Sequence, residues 1–288
     1  MRIGVVFPQT EISPDPGAVR DYAQAVEAMG YTHIAAYDHV LGANTASRPG
    51  QRFPYDHQSN FHEPMVLFGY LAAVTSRVEL VTSIIILPQR QTALVAKQAA
   101  AIDVLSRGRL RLGVGLGWNE VEYQSLGADF HTRGKRVEEQ IAVMRRLWTE
   151  PLVTVETPDH QIVDAGISPL PVQRPIPVWM GGTVDAALRR LAKVADGWFP
   201  MVPANEAAQA VEQMRDYVRE AGRDPASFGF EARFDPAAGG PEEAARHAET
   251  WRAAGATHLS INTMRRGIEG PSAHIHWLRG VADALGLA

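Results

Sequence analysis

No cysteine occurs among the 288 residues. That excludes disulfides, thiol nucleophiles, thiolate metal sites and iron–sulfur clusters together. Long apolar runs are missing as well: no stretch approaches the roughly 20 residues a membrane span needs. The opening MRIGVVFPQTE carries an apolar run too short for the core of a signal peptide. Nor is there an excess of positive charge. Lys+Arg 28 against Asp+Glu 32 gives −4, so no basic field exists to attract nucleic acid. A soluble, cytoplasmic protein with neither nucleic-acid nor membrane partners is expected.

What the chain does have is core-forming material, with 45% hydrophobic residues. At this length about three quarters of the unfolded surface is buried on folding. Short runs rich in Val, Ile and Leu, as strands covered on both faces should be, predict strands at 3–7, 33–37, 78–87, 110–115, 176–180, 197–201, 228–232 and 257–261. Between them, apolar residues at three- and four-residue spacing predict helices. Val19, Tyr22, Val26 and Met29 make one such stripe, and Val137, Ile141, Met144 and Trp148 another. Further helices are predicted over 92–105, 184–195, 206–221, 241–254 and 271–285, with Pro241 and Pro271 tolerated in a first turn. Eight strand–helix units in 288 residues average about 36 residues each, the size of an ordinary (β/α)8 TIM barrel occupying 1–288 as one domain.

Two segments exceed a bare barrel. Residues 41–64 (LGANTASRPGQRFPYDHQSNFHEP) are polar, aromatic and without helical period. A loop this long is usually a functional lid or disordered, and after strand two it would hang over the C-terminal mouth. Residues 153–163 (VTVETPDHQIV) read as an extra β-hairpin.

Candidate chemistry collects at strand ends. Strand four ends in Gly113-Val114-Gly115-Leu116-Gly117-Trp118. A dinucleotide fingerprint would need glycine where Trp118 stands, which argues against a Rossmann reading. These small residues suit either a flat ring lying close to the backbone or tight packing of strand on helix. Trp179-Met180-Gly181-Gly182-Thr183 turns from a strand into a helix. Its free N–H groups suit a phosphate, the plainer alternative being an ordinary helix cap by Thr183. Asp38-His39 closes the second strand, where His39 could act as general acid or anchor the long loop. His62-Glu63 lacks a second histidine four residues on, and His274 and His276 are two apart, so no metal site is expected. Glu120, Glu122 and Asp129 could pair as acid and base for hydrolysis, but on a turn they read as solvated, and the basic clusters 107–111, 145–146 and 189–190 read as solvated faces. Arg189 or Arg190 could assist an anionic cofactor tail. No nucleophile elbow or P-loop occurs.

LGVGLGWNEVEYQSLGADFHTRGKRVEEQIAVMRRLW (112–148) resembles the hallmark segment of the bacterial luciferase-like oxidoreductases. The blocks at 81–115 and 177–200, with MRIGVVFPQ and AAYDHV, are similar to the same family. Their wording looks most like the branch that uses coenzyme F420, a deazaflavin, rather than FMN. The resemblance implies a cofactor ring at the barrel mouth, with Asp38 and His39 beside it. It implies that Thr82, Ser83 and Ile84 form a bulge, often with a non-proline cis peptide, that buttresses the ring. Gly115, Leu116, Gly117 and Trp118 would touch ring and tail. Met180, Gly181, Gly182 and Thr183 would hold the tail phosphate. Trp118 stands where the sugar-phosphate and alcohol dehydrogenases of the family carry a catalytic acid, which leaves His39 as the proton donor.

The expected activity is hydride transfer between the deazaflavin C5 and a small organic substrate, with Phe7, Phe61, Trp118 and Trp179 as candidate pocket walls. One alternative is an FMN-dependent monooxygenase supplied by a separate flavin reductase. Another is a cofactor-binding barrel without turnover. The resemblance also implies a homodimer.

Overall fold

The computed structural model describes residues 1–50, 53–235 and 239–287. Residues 51–52 of the long loop, 236–238 and the last residue of the expected 1–288 domain lie outside the described residues. The chain runs β1 (Arg2–Val6), α1 (Pro16–Ala28), β2 (His33–Ala36), α2 (Pro64–Val74), β3 (Glu79–Thr82), β4 (Ile85–Ile86), α3 (Thr92–Leu105) and β5 (Leu110–Gly115). It continues through α4 (Glu120–Ser125), α5 (Arg133–Thr149), β6 (Val153–Glu156), β7 (Gln161–Ala165), β8 (Val178–Gly181) and α6 (Asp185–Val194). Then come β9 (Gly197–Phe199), α7 (Ala207–Glu220), β10 (Gly229–Phe234), α8 (Pro241–Ala254), β11 (His258–Ile261) and α9 (Gly270–Leu285).

Parallel pairing runs β1–β2–β3–β5–β8–β9–β10–β11 and back to β1. This is a closed eight-stranded TIM barrel, as expected. The third stave is broken: β3 stops at Thr82, the Ser83–Ile84 peptide is cis, and β4 resumes the pairing with β5. The run predicted as one strand over 78–87 is therefore two short ones. The extra hairpin is present as antiparallel β6 and β7.

Two helices were not foreseen: the short α4, expected as a turn, and α2. α2 (PMVLFGYLAAV) is apolar all the way round and offers no amphipathic period to read. Glu63 caps it, accepting from the Val66 N–H at 2.9 Å, and Pro64 opens its first turn. Most of its apolar side chains enter the core, but Val66 is 73% exposed. Among the described residues, no helix is long and apolar enough to cross a membrane.

The barrel's N-terminal half is filled by a buried charged cluster rather than by aliphatic layers alone. Arg111 pairs with Glu231 and, at 2.9 Å, with Glu79. Glu231 also takes bonds from Ser260 Oγ and His33 Nε2. The Trp179 ring lies 4.3 Å from the Arg111 guanidinium, in space that a Cβ on Gly197 or Gly229 would occupy. The expectation that Arg111 belongs to a solvated face is thereby corrected. A strand residue pointing into a closed barrel is buried whatever its charge, and Arg111 is paired accordingly.

Candidate active site

The staves end at a mouth built by the connections after β2, β3, β5 and β9, with Gly181 at the end of β8. Asp38 is fixed there: one carboxylate oxygen takes the Ile86 N–H at 2.9 Å and the other takes Arg90 at 2.8 Å. Arg90 also holds Glu63 at 2.9 Å. Burial raises the Asp38 carboxyl above its ordinary value, opposed by Arg90 and the Ile86 N–H. Both of its oxygens are thus committed to joining the end of β2, the resumed strand β4 and the start of α2.

His39 is buried beside it. Its Nδ1 lies 3.5 Å from Glu122 Oε1, and its Nε2 is buried without a hydrogen-bond partner. Its ring packs on Phe61 and Tyr55 at centroid separations of 5.1 and 5.8 Å. A cavity of about 30 Å³ opens here among His39, Tyr55, Ile86, Gly117, Trp118 and Glu122. A second, of about 80 Å³, lies nearer the barrel axis between Ser83, Ile84, Gly181, Met201 and Arg233. Both are far below the roughly 300–1,000 Å³ of a small-molecule site. Residues 53–61 of the long loop sit against the mouth: Phe53 packs on Trp118 at 5.8 Å, and Arg265 donates to the Pro54 carbonyl.

The other expected site residues divide into two groups. Ser83, Ile84, Gly117, Trp118 and Gly181 line the two cavities. Thr82 does not: it is fully buried and its hydroxyl donates to the Gly113 carbonyl at 2.7 Å. Met180 is buried in the main hydrophobic core. The Leu116 carbonyl accepts from the Tyr123 hydroxyl. The space left by the glycines at 115 and 117 is taken by neighbours, since a Cβ there would meet Ile84 at 2.4 Å and Ile86 at 2.7 Å. Tight packing thus accounts for these two glycines, and Ile84 is the side chain that faces the mouth. At Gly181 a Cβ would meet nothing within 4 Å, so that turn is open. Of the aromatic walls, Phe61 and Trp118 are at the mouth, whereas Phe7 packs on Tyr22 and Trp179 fills the barrel interior.

Three expectations are corrected here. Thr183 does not cap α6: the N-cap is Val184, with no side-chain bond, because the turn runs one residue farther before the helix starts. Arg189 and Arg190 are engaged elsewhere, with Asp185 and Glu220 and with Glu138 respectively. Glu122 is not solvated. It is 2% exposed and accepts from the Val40 and Leu41 N–H groups at 2.5 and 2.9 Å and from Gln89 Nε2 at 2.8 Å. The segment EVEYQS is helical, and its first turn faces the chain leaving β2. Two acids spaced i and i+2 on a helix point to different sides, and that spacing was the available signal.

A family profile described as luciferase-like monooxygenase matches residues 1–282. An uncharacterized protein of Mycobacterium tuberculosis is 37% identical over 185 residues, covering 61% of this chain and 62% of its own length. The chain thus spans about three fifths of that relative. A phthiodiolone/phenolphthiodiolone dimycocerosates ketoreductase of Mycobacterium bovis is 31% identical over 173 residues, 58% of this chain and 45% of that protein. Among solved structures, a monooxygenase from Streptomyces bottropensis superposes with a TM-score of 0.81 at 18% identity, covering 99% of this chain and 98% of that one. An F420-dependent secondary alcohol dehydrogenase bound to an F420–acetone adduct gives 0.80 at 17% identity with the same coverage. At such identities the structural matches establish the fold alone.

Proposed function

The chain belongs to the luciferase-like monooxygenase family, and from that premise we propose that it is an F420-dependent oxidoreductase acting on a carbonyl or its alcohol. The observation that carries this reading is His39: a buried imidazole whose Nε2 has no partner in the protein and which lines a cavity at the barrel mouth. A hydride added to a carbonyl carbon leaves an oxygen that needs a proton, and such a group can supply it. The name of the ketoreductase relative agrees with this reaction class. So does the resemblance of the strand-end segments to the deazaflavin-dependent branch.

The residues present fit such a cofactor. Gly181 is open to the axial cavity. The turn into α6 carries no side-chain cap, so its N–H groups remain for an anionic tail. Coenzyme F420, when bound, would supply the hydride at C5. Ile84, seated over Gly115, forms the floor of the mouth. His39 holds or releases the proton at Nε2. Tyr55 and Phe61 keep water from it, and binding displaces the 53–61 segment to enlarge the present cavities.

Titration of the purified protein with F420 and with FMN, followed by ligand fluorescence, tests this reading. Micromolar or tighter F420 binding with FMN much weaker is expected. The reverse order would support the FMN-dependent monooxygenase and overturn the proposal.

A further inference from the structure

We infer that Glu122 is the residue that positions His39 for proton transfer by setting its tautomer; this rests on the role proposed above for His39. Trp118 occupies the strand-end place, and Glu122 stands four residues beyond it in the first turn of α4, lining the same cavity. A carboxylate with almost no exposure must be answered by donors. Among the described residues no lysine or arginine forms an ion pair with Glu122; its donors are two backbone N–H groups and the Gln89 amide. The His39 Nδ1 faces it 3.5 Å away, and such contacts commonly tighten when substrate binds; Asp38 also lies near, its own charge answered by Arg90.

The arrangement is directional. With Nδ1 toward a carboxylate, the neutral ring keeps its hydrogen there and presents the Nε2 lone pair to the cavity. The other titratable or charged groups around the ring are Tyr55 from the long loop and Asp38, whose charge Arg90 answers.

Holding the loop does not by itself require a charge at this place. An amide oxygen could accept from Val40 and Leu41 equally well, and Asn119 Nδ2 already donates to the Leu41 carbonyl at 3.2 Å. Gln89 Oε1 is unpartnered, so a flipped Gln89 would accept from a new amide at 122. Glu122→Gln therefore keeps the hydrogen bonds and removes the charge facing His39.

The test is nitrogen-15 NMR of histidine-labelled protein without any cofactor, so its outcome is independent of whether F420 binds. In the wild type, the His39 ring is expected as the Nδ1–H tautomer. In Glu122→Gln the ratio of the Nδ1–H to the Nε2–H form falls about tenfold. Asn119→Ala, which loosens the same loop without touching the charge, leaves that ratio within about twofold. In turnover assays, Glu122→Gln lowers kcat more than it raises KM. An Nε2–H tautomer in the wild type overturns the proposal without recourse to any variant. So does an unchanged ratio in Glu122→Gln. A failure of F420 to bind would instead overturn the functional reading and leave these ring measurements standing.

Discussion

Removing the charge of Glu231 is the sharpest perturbation of the barrel that carries this site. Glu231 is 3% exposed and Arg111 is 2% exposed, so their contact is fully desolvated. In Glu231→Gln the new side chain can still accept from His33 and Ser260. Its amide, however, is turned toward a guanidinium that no longer has its main counter-charge. Breaking one partner of a buried pair costs about 3–5 kcal/mol. Arg111 retains Glu79 at 2.9 Å and the Trp179 ring, which places the loss near the lower end, about 3 kcal/mol. With roughly 2–4 °C per kcal/mol for chains approaching this length, Tm should fall by about 6–12 °C. Burial pushes the Glu231 carboxyl up, but Arg111 and His33 outweigh it and hold it far below the ordinary carboxylate range. A lowered folded-state value means that the stabilisation is present above the unfolded-state value of about 4.3. It is lost as pH falls below that toward the folded value. The difference between wild type and Glu231→Gln in urea unfolding should accordingly be largest near neutral pH and shrink below about pH 4. A loss under about 1 kcal/mol at pH 7, or a difference that grows on acidification, would refute the reasoning.

His39→Ala should lower turnover by about 10²–10⁴ with cofactor affinity retained in a fluorescence titration. Gly181→Val, where a Cβ meets nothing, should leave urea stability within about 0.5 kcal/mol while weakening F420 binding at least tenfold. Burial lowers His274 to about 4, and burial with Arg111 and His33 lowers His258 to about 2. Both are depressed below the unfolded-state histidine value of about 6.5, so each contributes stability above that pH which is lost as pH falls; His274→Gln should flatten the slope of stability between pH 6.5 and 4. If the proposed homodimer uses α2, where Val66 is 73% exposed, Val66→Glu should halve the mass seen by light scattering without lowering Tm.

The barrel was legible because eight short runs of branched apolar residues alternate with stretches of helical period, as strands sheathed by helices do. α2 escaped because legibility of a helix depends on one face being polar, and PMVLFGYLAAV has none. Arg111 escaped for the opposite reason. Charge on a strand reads as exposure, yet this strand points its charge into the barrel at Glu231. At the mouth, His39 and the open turn at Gly181 were found from strand ends alone. Glu122 was not, since an acid within NEVEY becomes buried only when residues 40–41 fold back onto α4. The glycines at 115 and 117 illustrate the limit from another side. Their small size was readable, but that Ile84 and Ile86 occupy the space was decided by the break in the third stave.

We propose that this mouth passes a hydride to a carbonyl with a proton from His39. Anaerobic single-turnover mixing of the protein with reduced F420 and a panel of small ketones and aldehydes tests it most directly. Oxidation of the deazaflavin by at least one carbonyl is expected in the absence of oxygen, slowed by about 10²–10⁴ in His39→Ala. Reduced F420 that persists with every carbonyl, together with oxygen-dependent turnover of reduced FMN, would contradict it.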